Sequence, residues 1–246
     1  MHRDHLHRGD LHRDDLHREH LHRPSPRRRL AGLAIAGAFA IAACSGSNGS
    51  ESTTAADTDD DTEVSGSAVL SGIVREPAPV VDGTALPSLT DPGTDVEFKA
   101  QPGGIEVVYF GFTNCPDVCP TTMSDLSVAL NRLERDEAGR TDMIDTLVVT
   151  VDPDRDLDVL PQYATSFVGD AVAAGTADEE LLLEAAAPFG ANWEIRTLDD
   201  GTIEVDHSPF LYAVDDQGQL VLTWQFGAKP SEIANDLDIL LDQASA

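Results

Sequence analysis

Residues 105–123 read IEVVYFGFTNCPDVCPTTM, and the architecture follows from how this stretch is understood. Ile105–Phe112 is a continuous run of strand formers, as expected for a central strand covered on both faces. The chain then turns through Asn114-Cys115-Pro116-Asp117-Val118-Cys119-Pro120. From Pro120 onward, Met123, Leu126, Leu130 and Leu133 recur at helical spacing, so the loop hands over to an amphipathic helix.

The same pattern continues on either side. Thr146–Val151 (TLVVTV) is a second buried-strand run, closed by Asp152-Pro153. Helices are expected near Asp158–Phe167 and Asp178–Ala187. Trp193–Leu198 and Ile203–Val205 flank Asp199-Asp200-Gly201, a hairpin signal. Phe210–Val214 and Leu220–Phe226 flank a second turn, Asp215-Asp216-Gln217-Gly218. Pro230 opens a last helix whose Ile233, Leu237, Leu240 and Leu241 share a face. Upstream, Val69–Val74 reads as a strand, followed by a Pro-rich stretch to Pro87 and a short strand around Val96–Lys99. The order β-α-β-α-β-β-α over residues 68–246 predicts an α/β, thioredoxin-like fold with an extra N-terminal strand region and an inserted helix.

Composition narrows the functional classes. The 246 residues carry 16 Lys+Arg against 44 Asp+Glu, a net charge of −28, which removes nucleic acid as a partner because phosphate binding needs a basic face. An apolar content of 41% supports a packed core, and three cysteines are too few for a disulfide-stapled miniprotein.

Residues 1–43 do not belong to that core. His-Arg-x-x-Leu repeats through residues 2–21, and a five-residue period lays no stripe on a helix or a strand. Seven of the eight histidines lie in this low-complexity region, upstream of Arg27-Arg28-Arg29. Leu30–Ala43 is uncharged and too short for a membrane-spanning helix, which suits the apolar core of an export signal. Ile41-Ala42-Ala43-Cys44 resembles the lipobox of a bacterial lipoprotein signal. The resemblance implies cleavage before Cys44 and a lipid thioether on its sulfur. The alternative is ordinary secretory cleavage near Ala43. Residues 44–67 then form an acidic linker, since Ser, Gly, Thr, Asp and Glu bury too little surface to order themselves. The expected location is the extracytoplasmic face of the cell membrane, held by the lipid.

The chemistry rests on three residues of the folded part. Cys115 and Cys119, four apart at a helix start, can converge on one atom. The helix N-terminus favours thiolate there, which serves redox and metal chemistry alike. A structural disulfide is the other reading, though so small a loop gains little from closure. His207, in Val205-Asp206-His207-Ser208-Pro209, is the one histidine beyond the signal, and it lies just before a predicted buried strand. The reading leaves open whether the Ser208–Pro209 bond is cis. Two sulfurs and one imidazole suit Cu(I) better than a closed zinc site, which wants a fourth ligand. Asp117 and Asp206 are expected as turn and solvation residues, and Met123 as core.

Phe110–Met123 resembles the signature of the Sco/SenC family, Val149–Asp156 (VTVDPDRD) its second motif, and Val205-Asp206-His207-Ser208 with Leu211–Asp215 its third. The resemblance implies a thioredoxin-like domain that binds copper, Cu(I) or Cu(II), through Cys115, Cys119 and His207. It further implies assembly of the copper centre of cytochrome c oxidase, with the copper-bearing subunit and a thiol reductant as partners. A thiol–disulfide reductase using Cys115 and Cys119 alone, and a copper sensor or buffer, are the competing functions. The family also implies a strand between the two middle helices, where Val168–Ala177 (VGDAVAAGTA) has little strand character.

Overall fold

The computed structural model describes residues 69–245. The predicted signal, Cys44 and the linker lie outside the described residues. In chain order the strands and helices are β1 (Ile73–Val74), β2 (Leu86–Pro87), β3 (Asp95–Val96), β4 (Ile105–Gly111), α1 (Val118–Asp136) and β5 (Ile144–Thr150). They continue as α2 (Pro153–Asp156), α3 (Leu160–Phe167), β6 (Val172–Ala174), α4 (Glu179–Ala186), β7 (Trp193–Thr197), β8 (Ile203–His207), β9 (Phe210–Val214), β10 (Leu220–Gln225) and α5 (Pro230–Ala244).

Six strands form one mixed sheet in the order β1-β10-β9-β4-β5-β6. Strand β4 runs parallel to β5 and antiparallel to β9, and every one of its residues is buried. This is why it carries an apolar run rather than an alternating one. Tyr109 and its cross-strand neighbour Leu211 face the side covered by α1 and α5. Phe110 points to the other face, where Phe98 stacks on it at 6.1 Å and Phe189 and Tyr212 meet it edge-on at 5.2 and 6.0 Å. On α1, Met123, Leu126 and Leu133 are buried as the spacing predicts. On α5, so are Ile233, Leu237, Leu240 and Leu241.

The structure corrects several expectations. Val172–Ala174 pairs in parallel with Leu147–Val149, so the strand between the middle helices exists despite its composition. Its two alanines are fully buried, and ladder hydrogen bonds together with burial outweigh the low strand preference of alanine. The segment before β3 also bonds the outer edge of β6, through Leu89 N–H to the Ala173 carbonyl and Ala173 N–H to Thr90 Oγ1. The expected strand Val69–Val74 is paired only at Ile73–Val74, because the Ser71 and Gly72 amides donate to the Asp236 carboxylate instead. Val96–Lys99 likewise shortens to Asp95–Val96, and Phe98 enters the aromatic cluster. Helix α1 starts two residues before Pro120, which falls in a first turn that needs no amide donor there. Among the described residues the one cis peptide is Glu76–Pro77, so Ser208–Pro209 is trans. No helix of the described residues is long and apolar enough to cross a membrane.

Candidate metal centre

The site forms where β4 ends, α1 begins and β8 ends. Gly111 is the last residue of β4, and a Cβ on it would stand 2.5 Å from the Tyr109 ring, so only glycine lets the chain leave the sheet here. The loop is then fixed by a buried carboxylate. Asp156, at the end of α2, accepts from Thr113 N–H at 3.0 Å, Thr113 Oγ1 at 2.5 Å and Thr150 Oγ1 at 2.9 Å. Asp152 is buried beside it and pairs with Arg155. The VTVDPDRD motif therefore braces the cysteine loop.

Asp117 precedes α1 without making a side-chain cap. The Cys119 amide donates instead to Cys115 Sγ at 3.3 Å, so the sulfur of the first cysteine satisfies an orphan N–H of the helix that carries the second. Cys119 is fully buried, whereas Cys115 is half-buried, and both are free thiols. The expectation that the helix start would favour thiolate fails for Cys119, whose thiol is pushed up to about 12 by burial.

His207 ends β8, opposite Trp193 in the β7–β8 hairpin. The turn after it is locked by a reciprocal pair: Ser208 N–H donates to the Asn192 carbonyl at 2.9 Å, and Asn192 N–H to Ser208 Oγ at 3.1 Å. The Ser208 carbonyl lies 3.2 Å from Nδ1 and can only accept, so the ring proton belongs on Nδ1. That leaves the Nε2 lone pair facing Cys119 Sγ at 3.4 Å. Burial holds the imidazole below its usual range, which keeps it neutral and able to ligate. Phe112 and Tyr109 meet the ring edge-on at 5.6 and 6.1 Å.

Cys115 Sγ, Cys119 Sγ and a His207 nitrogen all lie within 4.8 Å of one another. Ligands about 2.0–2.3 Å from one ion sit roughly 3.5–4 Å apart, so the three donors fit a single metal after small adjustments. Two soft sulfurs and an imidazole suit copper in its cuprous state. Cys119 belongs to helix α1 and His207 ends strand β8, with only Cys115 on the loop. Asp206, expected at a turn, lies instead within β8, exposed and ion-paired with Arg196, whereas Met123 is core as expected. Sequence reasoning gave no role to Asp156, Thr113 or Tyr109. Tyr109 stands within the first strand run and Thr113 directly after it, but nothing in their sequence positions names the partners the fold gives them.

The family model described as SCO1/SenC matches residues 88–242. The chain is 30% identical over 134 residues to the SCO2-like protein of Rickettsia prowazekii, covering 53% of this chain and 63% of that one. It is 33% identical over 150 residues to Protein SCO1, mitochondrial, of Saccharomyces cerevisiae, covering 56% and 49%. The alignments thus span about half to somewhat under two thirds of those relatives. Among solved structures, Bradyrhizobium japonicum ScoI with copper bound superposes with a TM-score of 0.53 at 26% identity, covering 63% of this chain and 95% of that one. Yeast Sco1 with copper bound gives a TM-score of 0.55 at 26% identity, covering 68% and 90%.

Proposed function

The chain belongs to the SCO1/SenC family, and from that premise we propose that it is a copper metallochaperone that helps assemble the copper centre of cytochrome c oxidase. Cys115, Cys119 and His207 would hold the copper, and the copper-bearing subunit of the oxidase would receive it. The observation that carries the proposal is the convergence of two sulfurs and one imidazole nitrogen within 4.8 Å. A carrier must also release its cargo. Cys119 is buried while Cys115 and His207 are half-buried, so an incoming ligand from a partner meets the outer two donors first. Binding displaces the thiol protons to solvent, which makes loading pH-dependent.

In the same reading Cys44 carries a lipid that keeps the domain at the extracytoplasmic face of the membrane, and residues 45–67 supply the length of chain between the two. A thiol reductant resets Cys115 and Cys119 after oxidation. The second reading, a thiol–disulfide reductase, is favoured by the short contact between the Cys119 amide and Cys115 Sγ, which keeps the two cysteines close. It needs both cysteines but not His207.

Copper loading of the full-length protein in detergent separates these. The reduced protein and its His207→Ala variant are loaded with Cu(I) or Cu(II), desalted and assayed for metal and thiols. One copper per chain in both states, with Cu(II) lost in the variant, supports the carrier. Copper lost on desalting, from a dithiol that readily reduces disulfides, transfers the assignment to the reductase.

A further inference from the structure

Tyr109 is 1% exposed, yet its hydroxyl makes no hydrogen bond. It stands in an otherwise apolar stretch of β4, where phenylalanine would fill nearly the same volume. A buried hydroxyl without a partner is destabilising, so the oxygen is a burden to the copper-free fold. Its surroundings are specific. The ring touches the imidazole of His207 edge-on, and the hydroxyl stands toward Cys119 and Thr122 without a well-formed bond to either. Thr122 Oγ1, on the facing helix, is also unbonded.

We infer that Tyr109 is a positioning residue of the copper site, donating an O–H···S hydrogen bond to Cys119 once that sulfur is bound to copper. A thiol sulfur is a weak acceptor, whereas a metal-bound thiolate carries charge and accepts well. The hydroxyl left idle in the copper-free chain therefore gains its partner on loading. Hydrogen bonds to a coordinating sulfur draw charge from it, which favours Cu(I) over Cu(II) and raises the reduction potential of the bound ion. Tyr109 thus biases the site toward the cuprous state without touching the metal. The inference rests on the copper reading above.

The test is Tyr109→Phe in the full-length protein, with Tyr212→Phe as control. Tyr212 also buries an unbonded hydroxyl, but among the aromatic rings of the opposite sheet face. Four quantities are read: the sulfur-to-Cu(II) charge-transfer band, the copper reduction potential, Cu(I) affinity by chelator competition, and thermal unfolding of the copper-free protein. In Tyr109→Phe the band moves to lower energy, the potential falls and Cu(I) affinity drops about tenfold. The copper-free variant unfolds no earlier than wild type, and Tyr212→Phe leaves the copper readouts unchanged. Wild-type band and potential in Tyr109→Phe, or equal shifts in both variants, overturn the inference while the copper reading stands. Wild-type protein that takes up no copper overturns both.

Discussion

Asp156 touches neither sulfur, yet it sets where the cysteine loop begins. Its carboxylate is the shared acceptor for two groups of Thr113 and one of Thr150. Asp156→Ala strands these donors in a buried setting, at about 2–4 kcal/mol for the cluster. Urea unfolding should show that loss, and Cu(I) affinity should fall with it because Cys115 loses its placement. Wild-type affinity in a clearly destabilised variant would show that the brace serves the fold alone. Cys115, Cys119 and His207 were legible in the sequence because few residue types do this chemistry and each sat beside a recognisable strand or helix. Asp156 and Tyr109 were not. Thr113 and Asp156 are 43 positions apart, and the role of each is defined only by what the fold brings against it.

Among the elements, β4 carries an oddity at the end remote from the cysteine loop. Glu106 is buried with one carboxylate oxygen unbonded. Burial, reinforced by Asp145, raises its carboxyl from 4.5 to about 8. Between those values the folded chain keeps a proton that the unfolded chain releases. This group's contribution to stability is therefore complete below pH 4.5 and is lost as pH rises to about 8, at up to ~1.4 kcal/mol per pH unit. Glu106→Gln should flatten the unfolding free energy across that range; a slope identical to wild type would mean the carboxyl is already ionised in the fold. The long periodic elements β4, α1, β5 and α5 were readable within a residue or two, since their burial is continuous or helical. Strand β6 was not, because three small residues carry no period and only the neighbouring β5 makes them a strand.

For the whole molecule, the acid excess matters more than any single pair. A net charge of −28 repels anionic lipid headgroups and offers no electrostatic hold on a membrane. If Cys44 carries the proposed lipid, Cys44→Ser should move the protein from the membrane pellet to the soluble fraction, with copper binding and unfolding midpoint unchanged. Persistence in the pellet would exclude Cys44 as the anchor.

The carboxylate of Asp236, in α5, accepts from the Ser71 and Gly72 amides and from Trp224 Nε1. It is fully buried, so those bonds are shielded from water. Ser71 and Gly72 lead directly into the outer strand β1, which β10 and β9 separate from β4. Were the protein held by a lipid on Cys44 as proposed, mechanical load arriving at Ser71 would be taken up by α5 and β1 rather than by the strand that leads into the cysteine loop.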